Sequence, residues 1–165
     1  MTDTAKTTGR SPTLSGLNRA QKSADILWER DQASQWLGFK VADIAEGRAT
    51  LSMVIKPHHC NGHGTCHGGI IFALADSAFA FACNSRNQNT VAQHNFITYI
   101  ASPRAGTQLT ATAREVSLTG RNGIYDVEVN DDQGQRIAEF RGLSRAVKGM
   151  LFEEGRGEDE EPGAK

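Results

Sequence analysis

The chain lacks any long apolar run. Nothing in its 165 residues approaches the roughly 20 consecutive apolar residues that a bilayer span requires, so no membrane-spanning helix is expected. It also lacks an excess of either charge. Lys and Arg number 18 against 19 Asp and Glu, a formal net charge of -1, which points to neither nucleic acid nor an anionic membrane as partner. Cysteine is scarce. Cys60, Cys66 and Cys83 are odd in number and fit no disulfide framework, so they read as reduced thiols of a cytoplasmic protein. The start, MTDTAKTTGRSPTLSGLNRA, has no apolar h-region, so a secretory signal is not expected. Asp3 and the missing amphipathic pattern argue against a transit peptide.

What is present is globular. With 38% apolar and 22% charged residues, the chain is long enough for one compact domain with a real core and short for two. The polar stretch 1–22 and the acidic, Gly-rich stretch 151–165 have little to bury and are expected to be disordered. Between them, 23–150 reads as one domain without linker or repeat.

The segment SADILWERDQASQWLG places Ile26, Leu27, Trp28, Trp36 and Leu37 on a short helix, with Ser23 as its cap and Gly38 as its stop. FKVADIA and RATLSMVIKP follow as strands. In the second, Ala49, Leu51, Met53 and Ile55 alternate with Thr50, Ser52, Val54 and Lys56. From Gly68 to Cys83 there is no proline and no alternation, and every face of the helical wheel is apolar, which predicts a buried helix. VAQHNFITYI, GTQLTATAREVSL, GIYDVEVND and QRIAEFRGLSRAVK are further strands, separated by the turns SPRAG, TGRNG and DDQG. Strands on both sides of a single long helix, joined by hairpins, predict an α+β domain with an antiparallel sheet around that helix.

The chemistry concentrates in NGHGTCHGGIIFALADSAFAFACNS, residues 61–85. His58, His59, Cys60, His63, Cys66 and His67 are ligand types, but no Cys-x-x-Cys pair exists and the His63 to His67 interval crosses Gly64, so no metal site is expected. The bland alternative is a Gly-rich loop whose His and Cys merely pack. A third reading takes Gly68 and Gly69 as the start of the helix. There the first N–H groups have no intrahelical partner and the dipole favours an anion or a polarised carbonyl oxygen.

Asp76 strengthens that reading. Its helical neighbours Phe72, Ala73, Phe79 and Ala80 cannot neutralise a carboxylate, so it is either a structural acid bonded to a neighbouring strand or a general base or nucleophile with a raised pKa. Gly68 and Asp76 lie about 12 Å apart along a helix axis, too far for both to serve one carbonyl. If both serve one reaction, the second partner comes from another copy, as in a two-fold dimer with antiparallel helices.

NGHGTCHGGIIFALADSAFAFACNS, together with AEFRGLSRAV in the last strand, closely resembles the signature of the hotdog-fold acyl-CoA thioesterases, and among them the PaaI subgroup encoded with phenylacetate degradation. The resemblance covers Ser23 to Lys148. It implies a hotdog fold, with a long central helix wrapped by a curved antiparallel sheet. It also implies dimers with a continuous sheet, pairing further into homotetramers, with active sites at the dimer interface and no cofactor. By this likeness Asp76 is the catalytic carboxylate, as nucleophile or as general base on water. Gly68 N–H of the partner subunit polarises the thioester carbonyl, Asn61 orients the thioester or water, and His67 supports the loop or contacts the carbonyl.

For the family's polar residue on the strand after the helix, Gln93, His94 and Asn95 are the candidates, while Ala92 falls at the position itself. Arg121 in TGRNG is the candidate contact to the coenzyme A phosphates. An acyl pocket near Phe72, Phe79, Phe96 and Tyr99 suits an aryl-acetyl group, with phenylacetyl-CoA or its ring-hydroxylated forms first. Two alternatives stand beside the thioesterase: a hotdog enoyl-CoA hydratase or dehydratase, and a non-catalytic acyl-CoA or metal-binding module.

Overall fold

The computed structural model describes residues 13–155. Residues 1–12 and 156–165, most of the two ends expected to be disordered, lie outside the described residues. The elements run α1 Gly16–Arg30, α2 Gln32–Trp36, β1 Lys40–Ala45, β2 Arg48–Val54, a 3-10 turn Pro57–His59, α3 Gly68–Asn84, β3 Gln88–Tyr99, β4 Gln108–Thr119, β5 Asn122–Asp131 and β6 Arg136–Met150. The α+β order matches the sequence reading: two strands, one long helix, four strands.

All strand pairs are antiparallel, and the sheet order is β1-β2-β4-β5-β6-β3. The strands joined directly to α3, β2 and β3, are therefore kept apart, and β3 ends as an edge. Helix α3 packs on one face against Ala49, Leu51 and Met53 of β2, Ala111 and Ala113 of β4, Val127 and Val129 of β5 and Phe140 of β6. The opposite face carries polar pairs, Arg141 with Asp126 and Arg136 with Glu128, and needs no cover. Close approach is decided at Gly142, where an added Cβ would come within 2.8 Å of the Phe79 ring. Among the described residues no helix is long and apolar enough to cross a membrane.

The first helix differs from its expectation. It begins at Gly16, with Ser15 as the cap accepting from Asn18 N–H, and Asp31 caps a separate α2. Ser23 is a fully buried residue in mid-helix. The buried stripe is Ala20, Ser23 and Ala24, small residues that let α1 lie close to the domain while leaving its sequence looking polar. Trp36, read as part of an apolar face, is 80% exposed. At the other end, Leu151 and Phe152 N–H donate to Asn87 Oδ1, and Glu154 takes the Arg19 guanidinium at 2.9 Å. Asn87 holds a left-handed φ of 60°, which its short polar side chain tolerates. The first residues of the acidic tail are thus tied to α1 and to the start of β3.

Candidate active site

The loop before α3 is a short antiparallel ladder. Asn61 N–H donates to Thr65 O and His67 N–H to His59 O, both at 2.8 Å, and Cys66 N–H donates to Pro103 O at 2.8 Å. Within it, Asn61 Oδ1 accepts from His63 N–H at 2.9 Å and Nδ2 donates to Thr65 Oγ1 at 3.1 Å. Asn61 therefore shapes the loop with its own side chain, an Asx turn that the sequence reading did not foresee.

His67 is the N-cap of α3. Its Nδ1 accepts from Gly69 N–H at 2.9 Å, so the imidazole proton sits on Nε2, free to donate elsewhere. The His67 carbonyl takes Ile70 and Ile71 N–H. Among the described residues this leaves Gly68 N–H without an acceptor at the positive end of the helix. Tyr99 covers Gly68: its hydroxyl donates to Gly68 O at 2.9 Å, and a Cβ on Gly68 would meet its ring at 3.1 Å.

Two turns further along α3, Asp76 is half-buried. Burial pushes its carboxyl above the ordinary carboxylate range, and a hydrogen bond from Asn95 opposes that shift. Asn95 Nδ2 donates to Asp76 Oδ1 at 2.6 Å, while Asn95 Oδ1 is buried with no donor among the described residues.

The register of β3 against β6 explains the choice of Asn95. The helix-facing residues of β6 are Ala138, Phe140, Gly142 and Ser144, all buried, and they stand opposite Tyr99, Ile97, Asn95 and Ala92. The bulge between Ala92 and His94 leaves Gln93 unpaired and sends His94 and Phe96 to the other face. Of the three polar candidates on this strand, only Asn95 meets Asp76.

The remaining expected residues divide. Phe72 is half-buried, edge to face with Phe140 at 5.4 Å. Phe79 is 1% exposed and packs on Tyr125, Phe140 and Gly142, a core residue rather than a free pocket wall. Phe96 is 51% exposed, on the sheet face away from α3, opposite Arg141. Arg121 donates from Nε to Ala146 O and borders a cleft of about 80 Å³ with Cys83, Tyr125 and Ser144, by the C-terminal end of α3. A wider cleft of about 450 Å³ opens between α1 and β1, lined by Leu17, Asp25, Trp28, Val41 and Asp43; it touches none of these groups. Among the described residues no group of three or more His, Cys, Asp or Glu could hold a metal ion.

An orphan N–H at a helix start and a half-buried carboxylate beside an amide can polarise a carbonyl and activate water. Comparison with known proteins gives the family. The sequence profile described as "Thioesterase superfamily" matches residues 63–138. The chain is 37% identical over 134 residues to the acyl-coenzyme A thioesterase PaaI of Escherichia coli, covering 81% of this chain and 96% of that one. The solved structure of the E. coli PaaI protein from the phenylacetic acid degradation operon superposes with a TM-score of 0.81 at 37% identity, over 82% of this chain and 99% of that one. A variant of the phenylacetic acid degradation protein PaaI from Thermus thermophilus gives a TM-score of 0.67 at 38% identity, over 69% and 97%.

Proposed function

The chain belongs to the thioesterase superfamily, as a hotdog-fold acyl-CoA thioesterase of the PaaI group, and from that premise we propose that it hydrolyses aryl-acetyl-CoA through Asp76 and Gly68. The observation that carries the reading is the pairing of a half-buried Asp76, its pKa raised by burial, with Asn95 at 2.6 Å.

The thioester carbonyl accepts from Gly68 N–H of a second copy, with His67 Nε2–H as a further donor. Losing one such donor typically costs about 10²–10³ in rate. Asp76 takes the proton of a water whose other O–H donates to the unpaired Oδ1 of Asn95. The water attacks the carbonyl, the coenzyme A thiolate leaves, and the free acid remains. Asn61 acts by holding the loop that delivers His67 and Gly68.

Homodimerisation is part of the proposal, with dimers pairing into a tetramer. The eight-residue interval from Gly68 to Asp76, about 12 Å along the axis, supports it. So does the free edge of β3, a 12-residue strand with exposed Val91, Phe96 and Tyr99. Half of each site then comes from the partner, which accounts for the absence of these groups from the clefts described above.

The aryl-acetyl assignment rests on the phenylacetic acid degradation context of the relatives. The aromatic side chain of Phe72, one turn before Asp76 on α3 and packed on Phe140, is compatible with it. The hydratase alternative needs a histidine beside the acid. His94 instead stands on the face away from α3, near Phe96.

The test is coenzyme A release over a panel of aryl-acetyl, benzoyl and fatty acyl thioesters, with wild type and Asp76→Asn side by side and a sizing measurement of the oligomer. Fastest release from aryl-acetyl-CoA, abolished in the variant, supports the reading. Preference for fatty acyl-CoA removes the substrate assignment. Near-normal release by Asp76→Asn removes the mechanism.

A further inference from the structure

Cys60 and Cys66 play no part in the chemistry above, yet they are direct partners across the small ladder that carries the loop. The hydrogen bonds that define their pairing lie on either side of them, His67 N–H to His59 O and Asn61 N–H to Thr65 O. They are therefore a non-hydrogen-bonded antiparallel pair, the type with Cα atoms about 4.5 Å apart and side chains on one face. Disulfides form at Cα separations of about 4.4–6.8 Å, most often about 5.5–6 Å. The pair sits at the tight end of that range.

In the reduced protein the thiols turn to separate acceptors, Cys60 Sγ to Lys56 O and Cys66 Sγ to His67 O, each at 3.8 Å. Such long sulfur contacts are weak and leave both side chains free to rotate. Cys60 is partly exposed and Cys66 is buried.

We propose that Cys60 and Cys66 form a reversible intramolecular disulfide that closes the base of the Asn61 loop and slows thioester hydrolysis. The functional half rests on Gly68 N–H being the oxyanion donor.

The oxidant is hydrogen peroxide. The partly exposed Cys60, as thiolate, attacks a peroxide oxygen; the O–O bond breaks and hydroxide leaves, giving Cys60 sulfenic acid. Cys66 sulfur then attacks the Cys60 sulfur. The S–O bond breaks and a second hydroxide departs, and the two protons that the thiols lost complete two waters. Two thiols are oxidised and one peroxide is reduced. Burial and the neighbouring Cys60 push the Cys66 thiol up to about 11, which keeps it protonated and leaves the first attack to Cys60.

The new bond favours a wider Cα separation than the ladder offers, by about 1 Å. Cys66 is adjacent to His67, so the strain falls on the His67 to His59 bond and on the position of Gly68. A misplacement of about 1 Å at a reacting group costs on the order of 10²-fold in rate. Gly68 is displaced, not removed, so the loss is expected at about 10–100-fold.

The test treats the intact protein with hydrogen peroxide, removes the excess with catalase, and follows hydrolysis by loss of thioester absorbance, which needs no thiol reagent. The disulfide is read in parallel by alkylation and mass spectrometry. Expected are a loss of two hydrogens with only Cys83 left to alkylate, a 10–100-fold fall in turnover, and recovery with dithiothreitol. Cys60→Ser should keep its basal turnover and resist the peroxide. Absence of the intramolecular bond overturns the proposal, as does a bond that leaves turnover unchanged or an equal loss in Cys60→Ser. The mass measurement does not use turnover. If the untreated protein hydrolyses no thioester, the reading of Gly68 fails, whereas the disulfide still forms or does not on its own terms.

Discussion

The two ends of α3 are built from one continuous helix and could hardly differ more. At the C-terminal end the polar side chains of Asn84 and Ser85 are engaged. Asn84 Nδ2 donates to Ala80 O and Thr90 O, its Oδ1 accepts from Thr90 N–H, and Ser85 Oγ donates to Ala82 O while accepting from Gly47 N–H. Phe79 and Phe81 fill the core around them. From the N-terminus to Asp76 at the helix centre, among the described residues, Gly68 N–H has no acceptor, Asp76 has one neutral amide, and Asn95 Oδ1 has no donor. Unpaired buried polar groups cost stability. One end stabilises the domain, and the other holds groups ready for a substrate.

If that contrast is real, substitutions at the two ends should separate activity from stability. The largest effect is expected from Asp76→Asn, a fall in turnover of about 10³ or more, since a positioned general base contributes roughly 10²–10⁴. Stability should move the other way. The folded pKa of Asp76 lies above its ordinary value, so its favourable contribution is present at acid pH and lost as pH rises through the folded pKa. Near neutrality the charged side chain is a cost, and Asp76→Asn should melt at or above wild type, with the advantage shrinking on acidification. A lower melting temperature at neutral pH would mean that the carboxylate is structural.

Phe79→Ala should do the reverse. It empties a site packed by Tyr125, Phe140 and Gly142, for a loss of about 3–5 kcal/mol in denaturant titration, with the remaining folded protein active per molecule. Asn84→Ala should cost about 1–3 kcal/mol by taking the Asn84 side chain from the Thr90 N–H and carbonyl, again with turnover preserved. Loss of turnover in either variant without unfolding would erase the distinction between the ends.

Asn95→Ala should have the smallest effect on stability but a specific signature in kinetics. Its hydrogen bond lowers the Asp76 pKa, so removing it should move the acid limb of the kcat/KM profile to higher pH. An unmoved limb would limit Asn95 to packing.

The wrapped helix and Asp76 were legible because their signals are local. A proline-free run apolar on every face can only be buried, and one acid within it stands out. The central strands were legible by alternation, as in Ala49, Leu51, Met53 and Ile55, all buried. The start of α1 was not, because its buried face is Ala20, Ser23 and Ala24, small residues that composition counts as neutral or polar. Asn95 was one of three candidates. The bulge at Gln93 decides which side chains of β3 face the helix, and nothing in VAQHNFITY marks it. Phe79 and Phe96 looked equivalent as aromatics, yet Phe79 lies on the face of α3 that packs on the sheet, and the register of β3 sends Phe96 to the far face.

The sequence by itself determined the order of elements, the burial of α3, the acid within it and the glycines at its start, since each follows from spacing along one segment. Only the tertiary structure decided that Asn95 bonds Asp76, that Asn61 is spent on its own loop, and that Cys60 and Cys66 face each other. The first is a matter of strand register, set by the packing of distant segments against one another, and the other two of how the loop folds back on itself.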